Sequence, residues 1–222
     1  AIVDKENESQ TVWITDSNWF EKWFFGMEER LGVILGKMLI QASSESTEYS
    51  LINNQISTPK NKNIESWEKL LEDWMYKNFG SFSSYSQNSN QINLIINNYA
   101  NLYISIGSLS SALEYLNSTR YKFHWNDSET RIILSLEPSS DIFPPPNSQN
   151  ILSYDFSEVE KTSNSDLWEM FSLNEEGTWF IQHSRPLVIS NDLFYRFEEK
   201  SIPFLSNISF ERSIDYVWGE LD

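Results

Sequence analysis

An α/β (α+β) fold, with helices packed on a sheet, is what this sequence predicts, on three observations. Apolar residues recur at helical spacing between Trp19 and Met38 and again between Ile64 and Met75. The short β-branched run "INLIINN" reads as a strand. It is followed by a long helical pattern and then by two alternating runs around "NDSE", the pattern of a β-hairpin.

Residues 1–15 are expected to be flexible. "SNWFEKWFFGMEERLGVILGKMLIQ" then predicts one helix, with Asp16 or Ser17 as N-cap and Trp19, Trp23, Met27, Leu31, Ile34, Leu35 and Met38 on its apolar face. Gly32 and Gly36 sit four apart on it. Each glycine costs a helix about 1 kcal/mol against alanine, so the pair suggests a closely approaching neighbour. "ASSESTEYSLINNQISTPKNKN" reads as a polar connection. "NIESWEKLLEDWMYKNFG" predicts a second helix, presenting Ile64, Trp67, Leu70, Leu71, Trp74 and Met75 and stopping at Gly80. "SFSSYSQNSNQ" reads as a low-complexity loop.

The stretch "NYANLYISIGSLSSALEYL" is too long and too irregular in its alternation for a strand. As a helix it lines up Leu102, Ile106, Leu109, Leu113 and Leu116. Gly107 with Ser111, and Ser108 with Ala112, form small-xxx-small pairs that permit close backbone approach. The hairpin "RYKFHWNDSETRIILSLEP" follows. Three prolines at 144–146 forbid regular helix and favour polyproline extension, so 141–150 is expected to be a linker. Beyond it, "DLWEMFSL" reads as a short helix, "GTWFIQHSRPLVIS" and "NDLFYRFEE" as strands, and "ERSIDYVWGEL" as a C-terminal helix. The expected organisation is a domain over 16–140, a linker over 141–150 and a mixed α/β extension over 151–222.

Composition narrows the chemistry. In 222 residues there are 16 basic and 32 acidic side chains, a formal charge of −16. Phosphate binding rests on Lys and Arg displacing counterions, so nucleic acid is not an expected partner. The chain has no cysteine, which removes disulfides, thiolate metal sites and thiol catalysis. No apolar run approaches the roughly 20 residues that span a bilayer, and no signal peptide is read. The expectation is a soluble, cytoplasmic protein.

"INLIINN", "YANLYISIGSLSSALEYL" and the hairpin "YKFHWNDSETRIILSL" together resemble the second half of the 4-vinyl-reductase domain family. The related small subunits of the TRAPP vesicle-tethering complex share that scheme. In both, a strand leads to a helix of the type G-x-L-x-G-A-L and then to two antiparallel strands. Gly107, Leu109, Ala112 and Leu113 match, with Ser111 in place of the second glycine. "RLGVILGKMLIQ" resembles the family's earlier helix, and the likeness spans about residues 17–138. It implies an antiparallel sheet with helices packed on it and dimerisation through the helical face. It also implies roles in binding apolar molecules, tetrapyrrole-linked processes, or assembly and tethering. Several relatives carry cysteines that bind zinc or an acyl chain; this chain has none.

The residues offer little catalytic signature. His124 and His183 come from different parts of the chain and are expected to be hydrogen-bonded or surface histidines. Acidic pairs in "MEER", "EVE", "NEEG" and "FEEK" are what 32 acids produce by chance. No phosphate loop, HExxH or GxSxG occurs. No cofactor or metal is expected. The 9 Trp, 14 Phe and 10 Tyr are what remains. The resemblance would pack Trp19, Trp23, Phe24, Trp67 and Trp74 near one another, and Trp19, Trp23, Trp67, Trp74 and Tyr103 are the candidates to line an apolar pocket. Gly32, Gly36, Gly107, Ser111 and Ala112 are the expected helix-packing positions. The leading expectation is a non-catalytic binding or assembly protein acting on a protein partner or as a homodimer. The alternatives are a carrier or sensor of a small apolar ligand, and an enzyme on a hydrophobic or tetrapyrrole substrate.

Overall fold

The computed structural model describes residues 2–3, 11–56, 67–87, 91–128, 131–141, 144–148, 171–175, 178–181 and 183–205. In chain order they form β1 (Ile2–Val3), β2 (Thr11–Asp16), α1 (Ser17–Leu31), α2 (Gly36–Ile52), α3 (Glu68–Tyr76), β3 (Ser81–Gln87), β4 (Ile92–Asn97) and α4 (Leu102–Asn117). There follow β5 (Arg120–Ser128), β6 (Arg131–Ser139), β7 (Phe171–Leu173), β8 (Trp179–Ile181), β9 (Pro186–Ser190) and α5 (Asn191–Leu205). The fold is α+β and its sheets are antiparallel: β3-β4-β6-β5, β1-β2-β9 and the pair β7-β8. No helix among the described residues is long and apolar enough to cross a membrane.

Two apolar clusters share α4. Leu94, Ile96, Ile132, Leu134 and Leu136 bury the alternate residues of β4 and β6 against Ile106, Leu109 and Leu113 of α4 and Trp67, Leu70 and Trp74 beside and on α3. On the other side Ile104 joins Phe20 and Phe24 of α1, Leu39 of α2, Leu187 of β9 and Phe197 of α5. Residues 104–113 of α4 are therefore buried without a break, as befits a helix surrounded on all sides. Asn101 caps it, its side chain accepting from Ile104 N at 3.1 Å.

Several expectations need correction. The single helix over 17–41 is two, because Gly32 adopts a left-handed conformation (φ 64°) and ends α1. Asp16 is the N-cap, accepting from Trp19 N at 2.7 Å. Phe20 and Phe24 face the core, one position on from the expected stripe, while Trp19 is 38% exposed. Residues 42–52 of the "polar connection" belong to α2, which buries Ser43, Ser46, Thr47 and Ser50, and residues 57–63 lie outside the described residues. Met75 is exposed rather than on the buried face of α3, and Ile64 lies outside the described residues. The helix stops at Tyr76, before Gly80. "SFSSYSQ" is a strand, β3, paired with β4.

The last third differs most. "NDLFYRFEE" begins helix α5, not a strand. "FSL" of the expected helix "DLWEMFSL" is strand β7; its earlier residues and "ERSIDYVWGEL" lie outside the described residues. Residues 11–15 are not a free terminus but most of β2, which pairs along its length with β9 from Val12↔Ser190 to Asp16↔Pro186. After the crossing at 141–150 the chain supplies β9 and α5, which complete the cluster around Phe20 and Phe24. Arg196, 1% exposed, holds that crossing: its guanidinium donates to Asn147 O at 2.8 Å and pairs with Asp192 at 2.8 Å.

Candidate functional site

Close approach of α2 and α4 shapes the interior. A Cβ on Gly107 would fall against the Ile40 carbonyl oxygen and lie 2.8 Å from Ser43 Cβ and 3.0 Å from Ser44 N. Hydroxyls bridge what space remains. Ser43 donates to Ile104 O at 2.8 Å, leaving Ser108 to donate to Ser43 at 2.9 Å, while Thr47 donates to Ser108 at 3.1 Å. The relay satisfies polar groups that would otherwise be costly to bury. Gly36 makes a second close approach, with the Tyr103 ring 2.7 Å from where its Cβ would be.

The packing residues therefore divide. Gly36 and Gly107 permit contact, and Ser111 and Ala112 are wholly buried on the next turn of α4. A Cβ on Gly32 would meet nothing within 4 Å, so its left-handed turn is its role. Glu28, from "MEER", completes that turn by accepting from Leu35 N at 2.5 Å and Gly36 N at 3.0 Å, which caps the start of α2.

At the end of the hydroxyl seam is a cleft lined by Ser46, Thr47, Ser50, Ser108 and Ser190, with Trp74 and the Asp73–Lys77 ion pair (2.8 Å). Its empty space is about 390 Å³, part of it open solvent, but a water molecule's centre has only about 30 Å³ to occupy. That is room for about two waters, between the hydroxyls on one part of the wall and Ile56, Trp74, Phe79 and Leu193 on the other. Of the five aromatics expected around an apolar pocket, only Trp74 lines this cleft. Trp67 and Trp74 belong to the sheet-side cluster, Trp23 packs on the opposite one, Tyr103 touches both, and Trp19 is at the surface. The structure does not bring the five together.

It instead assembles aromatics that sequence reasoning did not group. Trp13 of β2 meets Phe194 of α5 edge-on with ring centroids 6.4 Å apart. Phe194 meets Phe20 at 6.5 Å, Phe20 meets Trp23 at 5.5 Å, and Trp23 stacks on Trp19 at 6.5 Å with planes 6° apart. The run passes through the buried Phe20 and surfaces at both ends, Trp13 being 41% exposed. Trp13 Nε1 donates to the side chain of Asn191, which fixes the indole beside α5. The helical spacing of Trp19 and Trp23 is read from the sequence, while Phe20 lies off that stripe. The contribution of residues 13 and 194 is not legible there, because they are joined only by the β2–β9 pairing.

Around the other flank of α1 the charges are acidic. Burial, and then the neighbouring Asp127, raise the Glu21 carboxyl above its ordinary range. Tyr99 donates to Asp127 Oδ1 at 2.7 Å, and burial together with that bond pushes the Tyr99 phenol up. Tyr103 is likewise raised, by burial and then by Glu28, Asp127 and Glu21. "HSRP" has a structural role: Arg185 donates to Tyr99 O at 2.9 Å and to Asn98 O, and burial lowers its affinity for the proton. His183 is exposed at φ 71°, and His124 is exposed on β5, far along the chain from it. Among the described residues no three His, Asp or Glu side chains are grouped to hold a metal ion. No protein-family model matches the chain, and no characterised protein matches it.

Proposed function

We propose that this chain is a non-catalytic binding or assembly module that engages a protein partner through the aromatic surface on α1 and β2. The observation that carries this is the aromatic run from Trp13 to Trp19, anchored in the core at Phe20 and exposed at both ends. Tryptophans held rigid by their neighbours lose little freedom on binding, and they are the residues that most often dominate interface energies. With a formal charge of −16 on the chain and Glu21 and Asp127 on the same helix's other flank, the partner that fits is one of basic or mixed surface. The order β4-α4-β5-β6 is compatible with the resemblance to 4-vinyl-reductase and TRAPP-type domains, whose assembly roles belong to the same reading. The face of α2 and α4 turned from the four-stranded sheet is covered within the chain by α1 and α5.

The test compares the protein with its Trp19→Ala variant in quantitative affinity capture from the source cells, followed by native mass spectrometry. The cap of α1 uses only the backbone N–H of Trp19, and its partly exposed ring stacks on Trp23, so the circular dichroism and Tm of the variant are checked against the parent before binding is compared. A stoichiometric protein partner retained by the parent and weakened tenfold or more in the variant, about 1.4 kcal/mol, supports the reading. A partner bound equally by both, or an apolar molecule carried in place of a protein, refutes it.

A further inference from the structure

β5 is an outer strand of the β3-β4-β6-β5 sheet, and its nine residues pair with β6 in unbroken register from Arg120↔Ser139 to Ser128↔Arg131. Among the described residues no strand pairs with its other edge. A long, regular edge is a template for another strand, and proteins commonly blunt such edges with bulges or prolines. The opposite edge is blunted in this way: the register of β3 shifts between Phe82 and Ser84. β5 has neither a proline nor a register break. On its core-facing side Tyr121, Phe123 and Trp125 are only partly buried at the margin of the sheet-side cluster, with the rings of Phe123 and Trp125 6.0 Å apart. Lys122, His124 and Asn126 are exposed on the other side.

We propose that two copies of this chain associate by antiparallel pairing of their β5 edges about a two-fold axis at His124, joining the two sheets into one. The occupant is a second copy because the strand is complementary to itself in that register. Side chains alternate faces along a strand, so the axis sets Phe123 opposite Trp125 of the second copy, twice, on the core-facing side. That pairing extends the apolar margin of each core over the other. On the outer side Lys122 meets Asn126 and His124 meets its own equivalent, and no like-charged side chains are opposed. Centring the axis instead on Lys122 would oppose two ammonium groups, and centring it on Asn126 would set Trp125 against Asp127. Centring it on Phe123 would set Trp125 against Tyr121, whose N–H is already held by Glu114 Oε1 at 2.9 Å. Residues 122–127 carry one lysine and one aspartate, so two strongly acidic chains meet here at a formally neutral stretch.

The axis makes a specific test. His124→Glu and His124→Lys each place like charges face to face across it, on an exposed side chain that the monomer does not need. Analytical ultracentrifugation should find the parent dimeric, and each variant alone should show a several-fold higher dimer dissociation constant. An equimolar mixture of the two should recover the dimer, with the mixed species dominant in native mass spectrometry. Amide exchange over 122–126 should slow as the parent's concentration rises. A monomeric parent, a dimer that neither variant weakens, a mixture that fails to recover, or exchange independent of concentration would each overturn the proposal.

Discussion

Gly107→Ala tests whether the separation of α2 and α4 is set by the absence of a side chain. The new Cβ would meet the Ile40 carbonyl oxygen and Ser44 N, both backbone atoms of α2 that no rotamer change can move aside, together with Ser43 Cβ. Overpacking of this kind costs about 1–3 kcal/mol. If α2 moves away, the bonds from Ser43 to Ile104 O and from Thr47 to Ser108 lengthen, at about 1 kcal/mol each. Alanine returns about 1 kcal/mol of helix propensity. The net expectation is a loss of roughly 2–4 kcal/mol, read as a lower urea midpoint in tryptophan fluorescence and a Tm lower by roughly 5–15 °C. Gly26→Ala is the control: it is also helical but has nothing within 4 Å of its Cβ, so it should gain about 0.5–1 kcal/mol. Equal stability of Gly107→Ala and the parent would refute the reasoning. So would a shift of Gly107→Ala in the same direction as the control.

Glu21→Gln should stabilise the protein at pH 7 and leave it unchanged below about pH 4. The folded-state carboxyl is raised by burial and by Asp127, so the folded protein holds the proton more tightly than the unfolded chain. Stability therefore falls as pH rises through that window. The gain should stay under about 1 kcal/mol because the group is partly open to solvent, and denaturant titrations across pH measure it. Arg196→Met should cost roughly 2–3 kcal/mol in thermal unfolding, below the range for a fully buried pair, since Glu45 and Asp192 retain some access to water. With Asn147 O no longer held, cleavage near 144–148 by a broad-specificity protease should accelerate; unchanged cleavage would count against Arg196 as the anchor.

What was legible in the sequence was whatever buried ordinary apolar side chains at a single period. β4 and β6 alternate in burial as their sequences do, and α4 and the buried face of α3 follow from Leu, Ile and Trp at helical spacing. The second half of α2 was hidden because four of its buried residues, Ser43, Ser46, Thr47 and Ser50, are polar. Residues 36, 39, 40, 43, 46, 47, 50 and 51 keep helical spacing, so a search for periodic small residues would have found it. "NDLFYRFEE" is ambiguous in a nine-residue window, where Leu193 and Phe197 satisfy both a period of two and a period near four. α5 settles on the helix because Leu193 and Phe197 face the α1–α2 cluster and Arg196 reaches Asp192 one turn back. β2 carried no local sign of its partner, which lies about 170 residues away.

That distant pairing gives the candidate surface its physical character. Trp13 stands on β2, Phe194 on α5, and Trp19, Phe20 and Trp23 on α1, so the aromatic run exists only while β2 and β9 are paired and α5 is docked. A partner bound across both exposed ends, as proposed, would contact segments from before and after the proline-rich crossing, and a ligand that binds only the folded arrangement stabilises it by RT ln(1 + L/Kd), where L is the free ligand concentration. The buried hydroxyl seam offers less for recognition: its groups are occupied with one another and its cleft admits about two waters. Rigidity at the seam and exposure at the aromatic run are thus complementary. The close-packed helix pair fixes the scaffold, and the proposed recognition surface forms where β2 and α5 come together beside α1.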